Sequence, residues 1–150
     1  MKKQLFRLLL AALLMPFWAE AQPHGNLPVK NLFAPRHKVL IQVSTADTLV
    51  HAALMHQLSN LIQHWKDSVS IEVLVHGPGI ELMQRPKSTQ QEAIRSLRQR
   101  QVRWVVCEFT MQQRKVKKEE IIEGADFVPF GLVALVTRQE EGWTYLKAGF

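Results

Sequence analysis

Lys38-Val39-Leu40-Ile41-Gln42-Val43 is the stretch that decides the fold. It is short, almost wholly apolar and rich in β-branched residues, which suits a strand buried in a parallel sheet. Ser44, Thr45 and Asp47 follow with helix-capping chemistry. A helix is predicted from there to about Lys66, with Val50, Leu54, Leu58, Leu61, Ile62 and Trp65 on one face. The turn at Asp67-Ser68 leads to a second strand, Val69 to His76, which His76-Gly77-Pro78-Gly79 ends abruptly.

The same alternation continues. A short helical turn is expected through Met83, a loop over Arg85 to Ser88, and a helix from about Gln90 to Arg100. That helix turns Ile94 and Leu97 inward and sets Arg95, Arg98, Arg100 and Arg103 outward or at its end. Val102 to Cys107 is the third strand. Phe109 to Val116 and Lys118 to Ile122 read as helical pieces closed by Gly124, and Ala125 to Val128 as the fourth strand. A helix begins at Gly131, with Leu132, Val133, Leu135 and Val136 expected toward the core, and Trp143 to Lys147 is the last strand. Strand and helix alternating in this way define an α/β chain with a mostly parallel, five-stranded sheet between helical layers.

Upstream of the first strand the composition changes. Lys2, Lys3 and Arg7 precede an apolar run from Leu5 to Leu14, and Ala19-Glu20-Ala21 is a small-x-small triplet. This order is that of a secretory signal peptide over residues 1–21, cut after Ala21, and it implies a periplasmic protein. The apolar run is shorter than the roughly 20 residues that span a bilayer, so no stable membrane insertion is expected after cleavage. Residues 22–37, with Pro23, Gly25, Pro28 and Pro35, read as an extended lead-in. Residues 38–150 then form one domain. The formal net charge of the whole chain is +6. A mildly basic surface serves solubility, and export argues against nucleic-acid binding.

Cys107 is the only cysteine. No internal disulfide can form, so an exported fold must stand on its core, and the leftover thiol is either reactive or simply packed. Its place at a strand-to-helix junction favours reactivity. Ligands in open α/β sheets bind at the carboxyl ends of strands, and a helix N-terminus there stabilises negative charge on sulfur. Gly77 and Gly79 end another strand at the same edge, beside His76, and permit close backbone approach. The histidines have no metal-ligand spacing, the Cys has no partner, and neither a phosphate loop nor a nucleophile elbow is present. No cofactor is implied.

Several segments together carry a resemblance. They are Val75-His76-Gly77-Pro78-Gly79, Val106-Cys107 followed by Thr110-Met111, Val128-Pro129-Phe130-Gly131-Leu132-Val133-Ala134-Leu135-Val136, and Gln139-Glu140-Glu141-Gly142-Trp143-Thr144-Tyr145. In order and spacing the chain resembles the DsrE/DsrF-like family of sulfur-relay proteins from about Lys38 to Lys147. The resemblance implies a three-layer α/β/α sandwich and a homo-oligomer, whether dimer, trimer or hexamer. It also implies that Cys107 is the sulfur carrier, loaded as a persulfide by a donor protein and unloaded to an acceptor. Phe109 stands where similar sequences often have a small polar residue. The resulting expectation is an exported sulfur carrier or thiol-handling protein, with His76, Gly77, Gly79 and Thr110 lining the site around Cys107. The alternative is a non-catalytic oligomer of the same fold that binds a small anion at that edge or serves structurally.

Overall fold

The computed structural model describes residues 37–149. The expected signal peptide (1–21) and all but the last residue of the expected lead-in (22–37) lie outside the described residues. That last residue, His37, opens the first strand. The order is β1 (His37–Val43), α1 (Thr48–Trp65), β2 (Val69–Val75), α2 (Gln91–Gln99), β3 (Val102–Cys107), α3 (Glu108–Arg114), β4 (Asp126–Val128), α4 (Gly131–Glu140) and β5 (Thr144–Lys147). The five strands lie in the order β4-β3-β2-β1-β5 and every pairing is parallel. The sheet is thus wholly rather than mostly parallel. Asp47 caps α1 as expected, its carboxylate accepting from the Leu49 N–H at 2.8 Å. None of the described helices is long and apolar enough to cross a membrane.

Successive strand residues point to opposite faces, and the two faces are covered unequally. Ile41, Val73, Val106 and Trp104 pack under Leu54 and Leu58 of α1 and Ile94 and Leu97 of α2. On the other face Leu40, Leu74 and Val105 meet Leu135 of α4. The result is a three-layer α/β/α arrangement with one heavy and one light helical layer.

Helix α4 departs from expectation. Only Leu135 of its four predicted core residues is buried; Leu132 (65%), Val133 (61%) and Val136 (55%) are exposed. At about 100° per residue these four positions fall in an arc of about 160° with Leu135 at one end, and the helix turns that end rather than the middle of the arc to the sheet. The stripe facing the sheet is instead buried Gly131 and Leu135 with half-buried Arg138, at i, i+4 and i+7.

Arg138 reaches a carboxylate that the sequence did not mark. Glu72 sits mid-strand in β2, 1% exposed. Arg138 Nε donates to both of its oxygens at 3.1 Å, and Arg103 Nη1 donates to Oε2 at 3.2 Å. Arg103, within the predicted third strand, lies in β3 and also pairs with Asp126 at 2.5 Å. The hydrogen bond to Glu72 is the main reason the Arg138 guanidinium is held above its ordinary value. A buried carboxylate is tolerated only when paired, and removing one partner is far costlier than replacing both. Arg138→Met should lower unfolding stability by about 3 kcal/mol, read from the urea midpoint at unchanged slope. Adding Glu72→Met should restore most of that loss; a fully additive double variant would show that the pair is not coupled.

Candidate functional site

Strands β2 and β3 end side by side, with Val75 in register with Val106. The next residues, His76 and Cys107, therefore emerge together at the carboxyl edge. Alternation from Leu74 and Val105 turns both toward the α4 face. Cys107 is a free thiol, 3% exposed, at the N-cap of α3. The Gly131 N–H, first in α4, donates to its Sγ at 3.1 Å.

Glycine makes that contact feasible. A β-carbon at position 131 would lie 3.2 Å from Cys107 Cβ, 3.2 Å from Leu74 Cδ2 and 3.3 Å from His76 Cβ. Those separations are tighter than ordinary packing, so a side chain here would require its neighbours to give by a few tenths of an ångström. Phe109 and Phe130 belong to the two segments that hold the sulfur. Their rings lie 5.8 Å apart and both are exposed. The Phe109 N–H donates to the Pro129 carbonyl at 3.1 Å and ties these segments together. Glu108, which would oppose negative charge on the sulfur, is paired with Lys118 at 2.7 Å.

The predicted site residues come together, but with divided roles. Gly77 has φ +52°, and its N–H donates to the hydroxyl of buried Thr110 at 3.0 Å. Thr110 thus ties the loop after β2 to α3. The His76 N–H donates to the Val43 carbonyl at 3.1 Å, and the Gly79 N–H to the His76 carbonyl at 3.0 Å. Gly79 is buried against the Val43 carbonyl, where a β-carbon would collide. With the N–H groups of His76, Gly77 and Gly79 all engaged, an anion at this loop would compete with existing bonds. Among the described residues no group of three His, Cys, Asp or Glu side chains is placed to hold a metal ion.

Two further residues join the site. Gln42 Nε2 lies 2.5 Å from His76 Nε2, and the Tyr145 hydroxyl donates to Gln42 Oε1. A lone polar residue inside the apolar run of β1 was the signal for Gln42; nothing in the sequence pointed to Tyr145.

A single cysteine at a strand tip, hydrogen-bonded by the first N–H of the facing helix in an all-parallel α/β domain, is a compact thiol-site architecture. The chain belongs to the DsrE/DsrF-like family, whose model matches residues 37–148. Among solved structures it is similar to a protein of unknown function from Methanobacterium thermoautotrophicum, at 27% identity and TM-score 0.70, covering 74% of this chain and 98% of that one. A conserved protein of unknown function from Bacteroides thetaiotaomicron shares the fold at 20% identity and TM-score 0.57, covering 73% and 93% of the respective chains. No curated protein matches the sequence.

Burial holds the His76 imidazole below its ordinary value of 6.5. The unfolded chain then takes up a proton at higher pH than the folded one, so acid favours unfolding. Stability should be full above the ordinary imidazole range and fall as pH drops through it, levelling off below the folded value. Urea midpoints between about pH 8 and pH 5 should show this decline, and His76→Gln should reduce it. An unchanged slope in the variant would assign the decline to other groups.

Proposed function

We propose that the protein is a sulfur carrier in which Cys107 accepts and passes on a sulfur atom. The observation behind this reading is the Gly131 N–H aimed at Cys107 Sγ at 3.1 Å. Such a donor binds charged sulfur more strongly than neutral sulfur, so it favours the Cys107 thiolate, the form that attacks. In the step proposed, the Cys107 thiolate attacks the outer sulfur of a donor persulfide. A new S–S bond forms at Cys107, the donor's S–S bond breaks, and the donor leaves as its thiolate. No outside oxidant or reductant is needed. Membership of the DsrE/DsrF-like family and the placing of Cys107 beside His76 support the same reading.

Because Cys107 is buried under the Gly131 N–H, the Phe130–Gly131 segment moves aside during transfer in this reading. In this reading the protein works in the periplasm after cleavage behind Ala21, as the charged, apolar and small-residue order of its first residues suggests.

Incubation with polysulfide should add the mass of about one sulfur atom, roughly 32 Da, to the wild-type protein, removable by a reductant and absent in Cys107→Ser. A wild-type protein that gains nothing under conditions that load a known carrier would overturn the reading.

The reading includes self-association through α4. Leu132, Val133 and Val136 are exposed beside Phe130, and a groove of about 270 Å³ lined by Val128, Phe130 and Val133 runs along the helix. Apolar surface this concentrated is the kind that a second copy covers. Sedimentation should show an oligomer for the wild type and a monomer for Leu132→Lys/Val136→Lys. A wild-type monomer at micromolar concentration would refute this part.

A further inference from the structure

Tyr145, Gln42 and His76 lie on β5, on β1 and just beyond β2, three neighbouring lines of the sheet. Tyr145 is in register with Leu40, and Gln42 follows Leu40 by two residues, so both belong to the α4 face. Their contacts form one chain. The Tyr145 hydroxyl donates to the amide oxygen of Gln42, and the amide nitrogen of Gln42 lies 2.5 Å from His76 Nε2.

An amide has one accepting end and one donating end. With its oxygen occupied by Tyr145, Gln42 presents N–H to the imidazole. A ring nitrogen that receives N–H must itself carry no proton. A neutral imidazole bound in this way keeps its proton on Nδ1, the ring position outside the chain.

We propose that Tyr145 and Gln42 are positioning residues that lock His76 as the neutral Nδ1–H tautomer, so that an uncharged N–H donor stands beside Cys107 for an anionic sulfur compound reacting there. Burial of His76 acts in the same direction by disfavouring the imidazolium. The last clause of the proposal rests on the carrier reading; the tautomer does not. The ligand class that follows is a small or protein-bound species with negative charge on sulfur. A neutral donor binds such a group without tying it up as a permanent ion pair.

Long-range proton–nitrogen correlation spectra of the imidazole at neutral pH test the lock directly. The wild type should show Nδ1 protonated and Nε2 bare. Gln42→Glu places an acceptor-only carboxylate against Nε2 and should move the proton there or charge the ring. Tyr145→Phe removes one hydroxyl and should yield a mixture of the two tautomers. Far-UV circular dichroism and urea midpoints confirm that both variants are folded. A wild-type His76 protonated at Nε2 would overturn the proposal.

Sulfur loading forms the second arm. Gln42→Glu should slow uptake at Cys107 by about tenfold, the weight of one hydrogen bond. Unchanged uptake with a switched tautomer would overturn the donor role. A wild type that shows the Nδ1–H tautomer yet takes up no sulfur would overturn the carrier reading and uphold the lock.

Discussion

The close seating of α4 over Cys107 depends on the missing side chain at Gly131. The backbone of α4 comes down between Leu74, His76 and Cys107 because nothing projects from its first residue. That descent places a backbone N–H on a sulfur atom and closes the site from above. It also sets the entry of the polypeptide into the helix, since Phe130 immediately before it lies against Phe109 from the other segment. A hydrogen bond of ordinary length is modest by itself, about 1 kcal/mol. Its importance here is geometric: it fixes where the sulfur sits and what surrounds it.

The same helix is fastened at its far end by different chemistry. Glu72 in the middle of β2 receives Arg138 from α4 and Arg103 from β3. Between the two ends only Leu135 is buried. A helix with so thin an apolar stripe depends on its ends, a close glycine contact at one and a charged pair at the other. The opposite face of the sheet has no such need, since α1 and α2 supply an ordinary apolar core there. The apolar core is thus concentrated on one face, and Cys107 lies on the other, thinly covered one.

The heavy layer was also the legible one. Leu54 and Leu58, Ile94 and Leu97 stand out by spacing, and the apolar runs of β1, β2 and β3 announce a parallel sheet. Cys107 and His76 were readable because strand ends at one edge must converge. Helix α4 differs from expectation because it turns the edge of its apolar arc to the sheet, and hydropathy does not say which apolar residues face solvent. The stripe facing the sheet contains a glycine and a half-buried arginine, both of which look like surface residues in a list of letters. Glu72 was hidden for a related reason: its two partners lie 31 and 66 residues away, and no local pattern connects them. The engaged N–H groups of His76, Gly77 and Gly79 were equally unreadable, since glycine reports permitted conformation rather than free donors.

The burial of Cys107 has a kinetic meaning. A sulfur that solvent cannot reach reacts only during the brief intervals when its cover is displaced, so its observed rate is the intrinsic rate multiplied by the fraction of time open. Each additional 1.4 kcal/mol holding the Phe130–Gly131 segment in place lowers that fraction by about tenfold. Stray oxidants, which meet the molecule at random, are throttled by this factor in full. An encounter that itself displaces the segment is not. Under the proposed carrier function, selectivity at this thiol follows from how firmly the Phe130–Gly131 segment is held rather than from the sulfur alone.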